Sequence, residues 1–101
     1  MTDFEIKKRI RSIALRSSHF KIGKSGLTEY ERLSQHPAKY KRIEVITWSK
    51  HKSIIEKAEA KMIKEFINWK SIENKKEGSA GDMARSDKYI LYVVYISKIN
   101  S

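Results

Sequence analysis

An unbroken apolar segment, Tyr-Ile-Leu-Tyr-Val-Val-Tyr-Ile at residues 89–96, constrains the fold of this chain most strongly. Aromatic and β-branched side chains make up almost all of it, and these are the residues that favour β-strands. Because the segment is apolar on both faces of a strand, it predicts a central strand that is covered from both sides. The rest of the chain must therefore supply neighbouring strands and covering helices.

The first half of the chain predicts one helix and two strands. Thr2 and Glu5 have the spacing of a capping box, which predicts a helix over about 3–16. Alternation of apolar and polar residues predicts a short strand at 20–24 that runs into a turn at Ser25-Gly26. Residues 40–48 are rich in β-branched and aromatic side chains and predict a second strand.

Two further helices and a loop complete the prediction. Thr28 and Glu31 form another capping-box spacing, and the short helix that they start ends at Pro37. Ser49 or Ser53 is expected to cap the longest helix, which runs to about residue 68. The polar stretch 71–88 has no clear period and predicts a loop.

These elements define one domain over residues 1–101 of the α/β (α+β) class. We expect a small three-stranded mixed sheet flanked by helices. The strand at 89–96 should lie in the middle of that sheet or against residues 20–24.

Charge narrows the choice of partners. The chain carries 22 Lys and Arg against 12 Asp and Glu, a net charge of +10. That balance favours a polyanion such as DNA or RNA, although a lysine-rich composition without a functional meaning stays open. The chain has no cysteine, which excludes thiolate metal sites. No apolar run is as long as a membrane helix, so we expect a cytoplasmic protein without membrane contact.

One carboxylate lies where a helix should be apolar. At about 100° per residue, Glu59 falls inside the arc formed by Ile55, Met62 and Phe66. A carboxylate in that position must be desolvated, paired or bound to a metal. The alternative to a functional role is a glutamate at the edge of the core that reaches a buried arginine or a backbone amide.

Arg32 and His36 lie four residues apart on the short helix and share one face. A guanidinium and an imidazole next to a glycine-containing turn could hold a phosphate group. A solvated polar face of the helix explains the same pair without any ligand.

These residues together resemble a known family. The second half of the GIY-YIG nuclease motif resembles the run Phe20-Lys-Ile-Gly-Lys, a turn, and then Glu31-Arg32-Leu-Ser-Gln-His36. Within that family the run is most similar to the subgroup of T5orf172 and Mug113 type domains. In that family a strand ending Tyr-Ile-Gly leads into a helix carrying an Arg. Another strand follows, and then a helix whose Glu binds a divalent metal. The resemblance covers residues 20–66 and makes Glu59 the metal ligand.

The chain departs from the family pattern in two ways. Phe20 replaces the Tyr of Tyr-Ile-Gly, and no Gly-Ile-Tyr strand precedes it at the usual distance. Residues 91–95 could supply that strand in permuted order if they dock beside 20–24. Tyr92 would then be the family's tyrosine, while Tyr95, across the pleat, is not equivalent. In the competing view, Tyr95 or Tyr89 fills the core.

The resemblance implies a metal-dependent endonuclease that hydrolyses DNA phosphodiester bonds. Glu59 would hold Mg²⁺, Arg32 would neutralise charge on the phosphate, and Tyr92 or His36 would help to deprotonate water. The residues expected to meet the phosphate backbone are Lys21, Lys24, Lys39, Lys41 and Arg42. A binding module with weakened catalysis and a small regulatory or interaction protein are the alternatives.

Overall fold

A computed structural model describes residues 1–28, 30–31, 42–74, 83 and 85–98 of the chain. Five elements follow one another within these residues: α1 (Asp3–Leu15), β1 (Ser17–Gly26), β2 (Arg42–Ser49), α2 (Lys52–Phe66) and β3 (Tyr89–Ser97). Residues 27, 28, 30 and 31 are also helical, so helical structure begins one residue before the expected cap at Thr28. The remainder of the helix predicted to end at Pro37 lies outside the described residues.

The three strands form one sheet in the order β1-β3-β2, which confirms the α+β class and the central position of the apolar strand. Both pairings are antiparallel, so the sheet does not have the mixed strand directions that the sequence analysis expected. The reason lies in how the chain enters β3. Its first residue, Tyr89, pairs with Ser49, the last residue of β2, and with Gly26, the last residue of β1.

Both helices pack on the same face of the sheet. On β3, Leu91 and Val93 point into that core and are fully buried. Ile90 points to the opposite face and is also buried, whereas Tyr92, Val94 and Ile96 on that face are only partly buried. The helices contribute mainly isoleucines and longer apolar side chains to the core: Ile6, Ile10, Ile13, Ile55, Met62, Ile63 and Phe66. Neither helix is long and apolar enough to cross a membrane.

The structure confirms α1 and corrects the bounds of β1. Thr2 caps α1, and the reciprocal hydrogen bonds of the capping box with Glu5 are both present. The Ser17 hydroxyl donates to the carbonyl oxygen of Ile13, at 2.6 Å, where the helix ends. Ser17 is already part of β1, and the turn predicted at Ser25-Gly26 is wrong. Strand pairing explains both corrections, because β3 continues beside β1 from end to end.

The predicted caps of α2 are wrong. His51 is its N-cap residue and makes no capping hydrogen bond through its side chain. The Ser49 hydroxyl instead accepts a hydrogen bond from the His51 backbone N–H, at 3.0 Å, before the helix begins. The burial of the apolar side of α2 therefore has to stabilise this helix without a side-chain cap.

The first residues of the predicted loop have a defined role at the edge of the sheet. The Phe20 backbone N–H donates to the Ser71 carbonyl at 3.0 Å, and the Glu73 N–H donates to the Phe20 carbonyl at 2.8 Å. The Asn74 amide then accepts from the Ile22 N–H and donates to the Ile22 carbonyl. Residues 71–74 thus satisfy backbone groups that an edge strand would otherwise leave open.

Candidate functional site

Glu59, which the helical period placed among apolar residues, is buried in the structure with 2% of its surface exposed. Lys24 of β1 points to the same side of the sheet, and its Nζ lies 3.6 Å from Glu59 Oε1. The lysine side chain is itself only 8% exposed. The carboxylate is therefore paired with a cation, as its burial requires, and among the described residues that cation is a lysine.

A second carboxylate reaches the same ammonium. Glu56 lies one helical turn before Glu59, and its Oε2 is 3.9 Å from Lys24 Nζ. The Glu56 side chain is 37% exposed, so it connects the buried pair with the solvent. Lys24 thus lies close to two carboxylates, one inside the protein and one at its surface. The sequence analysis missed Glu56, although its i, i+3 spacing from Glu59 could have indicated it.

Tyr92 lies against Gly23 across the β1–β3 pair, which the permuted arrangement requires. A Cβ atom added to Gly23 would come within 2.5 Å of the Tyr92 Cζ atom. The ring therefore covers the glycine and needs the absence of a side chain there. The Tyr30 ring packs on Tyr92 with 6.0 Å between ring centroids.

Tyr92 and Glu59 flank β1 from opposite faces. Gly23 and Lys24 are consecutive strand residues, so their side-chain directions are opposite: the Gly23 position faces Tyr92, and Lys24 faces Glu59. Arg32 and His36, with which these groups are predicted to converge, lie outside the described residues, so that convergence stays a prediction.

The other two tyrosines of β3 contribute to the helix-side core. Tyr95 and Tyr89 are each 6% exposed, so both do fill core, as the competing view held. The Arg16 guanidinium carbon lies 5.9 Å from the Tyr95 ring centroid. The Tyr89 hydroxyl accepts from the Ser86 backbone N–H at 3.1 Å. Tyr92 therefore differs from both in the face that it occupies.

The residues expected to contact phosphates differ in how exposed they are in the structure. Lys21 and Arg42 are exposed on β1 and β2. Lys24 is nearly buried in its ion pair, so it is not part of the exposed positive surface. Lys39 and Lys41 lie outside the described residues.

The structure draws attention to Trp48, which sequence reasoning assigned only to a strand. The pairing of β2 with β3 shifts between Val45 and Thr47, which marks a β-bulge. Beyond the bulge, Trp48 pairs with Ile90, on the face opposite the helices, and 54% of its surface is exposed. The Lys88 Nζ lies 4.5 Å from the centroid of the Trp48 ring system. Simple alternation would have placed Trp48 on the core face with Ile46.

Comparisons with models of known families, with curated proteins and with solved structures find no match to this chain. The resemblance to the GIY-YIG nucleases therefore stays a prediction. Among the described residues, no group of three or more His, Cys, Asp or Glu side chains has an arrangement that could hold a metal ion.

Proposed function

We propose that this chain is a nucleic-acid-binding domain whose architecture is related to that of the GIY-YIG nucleases. The outward distribution of its bases carries this proposal. Among the described residues, every Lys and Arg is exposed except Lys24 and Lys52. Several carboxylates, in contrast, are partly or fully buried: Glu44, Glu56, Glu59 and Glu73. The protein surface is therefore strongly positive and attracts polyanions.

A nucleic acid fits this surface better than a compact acidic protein does. The exposed bases occur on four of the five described elements, α1, β1, β2 and α2, with Lys21 on β1, Arg42 on β2 and Lys57 on α2 among them. A long chain of phosphates can contact bases that are spread in this way, and it releases counterions when it does so. We place DNA before RNA as the partner.

Fluorescence anisotropy with labelled duplex DNA and duplex RNA tests the proposal. We expect binding that weakens steeply as salt is raised. The Arg42→Ala variant should flatten the slope of log K against log salt by nearly one unit on DNA, about 0.9 for each phosphate that is no longer neutralised. Glu65→Gln, an exposed change on α2, should leave affinity equal or slightly higher. Absence of binding to DNA and RNA at low salt would reject the proposal in favour of a protein-interaction role.

Phosphodiester hydrolysis is the second candidate function, and the carboxylates around Lys24 favour it. Glu59 and Glu56 offer the oxygen ligands that Mg²⁺ prefers, so their chemistry fits a hard divalent ion. These two residues would hold the ion, whose contribution is to polarise a phosphoryl oxygen. The Lys24 ammonium competes for the same oxygens, 3.6 and 3.9 Å away, and must turn aside when the ion binds.

The other residues of this candidate site have separable roles. A displaced Lys24 would carry its charge to a phosphate as a point cation. The Tyr92 hydroxyl lies on the other face of β1, above Gly23, so it would orient a substrate group away from the ion rather than act on water beside it.

Incubation of plasmid DNA with the protein and Mg²⁺ tests hydrolysis separately from binding. We expect the parent protein to nick the plasmid and Glu59→Gln to lose that activity while it still binds DNA. Glu65→Gln is the matched control, since it removes a carboxylate from the exposed side of the same helix. A parent protein that binds DNA but never cuts it would be a binding module without catalysis.

A further inference from the structure

A β-bulge in β2 turns the Trp48 side chain out of the core. Ile46 is 2% exposed and belongs to the helix-side core, and the next-but-one residue of a regular strand would point the same way. The bulge between Val45 and Thr47 inserts one residue and reverses that direction for Trp48. A bulge of this kind re-aims a side chain, and here it moves an indole from the interior to the surface.

An arginine on α1 holds the bulge in place. The Arg9 guanidinium donates one hydrogen bond to the Ile46 carbonyl and another, at 3.2 Å, to the Val45 carbonyl. Both acceptors lie in the bulged part of an edge strand, where the ladder is interrupted. The fold thus uses a charged side chain to stabilise the irregularity that exposes Trp48.

The surroundings of the exposed indole are positive. The Lys88 ammonium lies 4.5 Å from the centroid of the ring system, in a cation–π contact. Lys50, two residues after Trp48, is exposed as well. An exposed ring whose covering lysine can turn to a phosphate has the chemistry of a base-stacking platform, because the ring then meets the base and the ammonium group meets the phosphate.

The second tryptophan of the chain shows what a packing role looks like in the same protein. Trp69 is partly buried and packs on two phenylalanines, with its ring centroid 5.3 Å from that of Phe66 and 6.3 Å from that of Phe20. Trp48 has only a lysine against its ring among the aromatic and cation–π contacts of the described residues. Core packing therefore explains Trp69 and does not explain Trp48.

We propose that Trp48 is a stacking platform for an unpaired nucleotide of DNA or RNA and that Lys88 pairs with the phosphate of that nucleotide. The inference rests on the proposed nucleic-acid-binding function and adds that this face prefers single strands. Duplex DNA buries its bases in the stack and cannot offer one to the indole without unpairing. The remaining basic surface, by contrast, contacts phosphates of either form.

Intrinsic fluorescence tests the proposal directly when Trp69→Phe leaves Trp48 as the only tryptophan. Titration of this variant with oligothymidylate and with oligouridylate, each about ten nucleotides long, should quench the emission, and a duplex of the same length should quench it far less. The two oligonucleotides distinguish a DNA strand from an RNA strand as the source of the base.

Affinity measurements supply the matched comparison. Trp48→Ala should weaken binding of the single strand about 5- to 150-fold, the range for loss of one stacked base, and leave duplex binding unchanged. Phe4→Ala removes another exposed aromatic side chain, 73% exposed on α1, and should have no effect on either ligand. Lys88→Ala should flatten the single-strand salt slope by about 0.7.

The outcomes separate this inference from the proposed function. Unchanged emission from Trp48, equal quenching by duplex and single strand, or full affinity of Trp48→Ala for the single strand would overturn the stacking role while nucleic-acid binding stands. No binding of either ligand at low salt would overturn both. If Trp48→Ala changes self-association and not oligonucleotide affinity, the exposed indole serves a second copy of the chain and the inference fails.

Discussion

Charged side chains usually lie at the surface of a protein and large apolar side chains in its interior. The Lys24–Glu59 cluster and the Trp48 surface are opposite exceptions to this rule. The first places two charged side chains in the interior, at 8% and 3% exposure. The second places a large aromatic side chain in water, at 54% exposure. They lie on opposite faces of one small sheet, so one architecture accommodates both exceptions.

The two regions should therefore affect different properties of the protein, the ion pair its stability and the indole its binding. A buried ion pair is satisfied within the protein, so its removal should be felt first in folding. Unfolding changes the exposure of an already exposed indole only slightly, so its substitution should affect binding more than stability. If the two regions behave as the comparison requires, stability and affinity will respond to different variants.

The largest effect is expected from Lys24→Ala. Removing the ammonium takes the Lys24 charge away from the buried Glu59 carboxylate, and we expect a decrease of about 3 kcal/mol in the free energy of unfolding. Urea denaturation followed by circular dichroism measures it. Lys21→Ala is the matched control, because Lys21 is exposed on the same strand and its substitution should change stability by no more than about 0.5 kcal/mol.

A double substitution sharpens that result. Lys24→Met with Glu59→Leu replaces the pair by apolar side chains of similar size and should recover most of the stability that Lys24→Ala loses. A double variant as unstable as the single one would show that something other than the lost Lys24–Glu59 ion pair causes the destabilisation.

The next largest effect is expected from Gly23→Ala. The new Cβ would lie 2.5 Å from Tyr92 Cζ, so the ring must move, at a cost of about 1–3 kcal/mol. The same substitution in a Tyr92→Ala background should cost much less, since no ring then occupies the space. Equal costs in the two backgrounds, measured by denaturation in a double-mutant cycle, would contradict the contact.

The two tryptophans give a smaller and sharper contrast. Trp69→Ala removes a partly buried ring from the aromatic cluster and should cost about 2 kcal/mol, whereas Trp48→Ala should change stability by no more than about 0.5 kcal/mol. Denaturation curves of the two variants decide this. If Trp48→Ala is as unstable as Trp69→Ala, the Trp48 indole contributes to packing, and the proposed difference between the two tryptophans does not exist.

Local patterns in the sequence predicted the elements and the centre of the sheet. The apolar run at 89–96 predicted a central strand with a neighbour on each side, and the capping box at Thr2 marked where α1 begins. The helical period alone identified the burial of Glu59. These features are set by spacing within one element, which the sequence contains in full.

Contacts between elements were predicted less well. The partner of Glu59 depends on which β1 side chain faces α2, and no local pattern specifies a lysine there. The direction of Trp48 depends on a bulge, and one extra residue in a ladder reverses a face without a distinct sequence signal. The antiparallel direction of both pairings likewise follows from how the chain enters β3.

The smallest effect concerns the cap of α1. The hydrogen bonds from the Thr2 backbone N–H and hydroxyl lower the pKa of Glu5 below its ordinary value of 4.5. Because the folded-state pKa is depressed, the contribution to stability is present above about pH 4.5 and is lost as the pH falls through the folded-state value. Glu5→Gln should therefore melt slightly below the parent at neutral pH and match it in acid, once the pH is below the folded-state pKa of Glu5. A difference that persists in acid would contradict this assignment.

The central claim, that the exposed bases bind nucleic acid, is tested most directly by the salt dependence of binding to a single-stranded oligonucleotide. Anisotropy titrations of the parent protein at several salt concentrations give the slope of log K against log salt. We predict a straight line with a negative slope of several units, made up of about 0.7 for each phosphate that a base neutralises. A flat line, or no binding at the lowest salt, would contradict the claim.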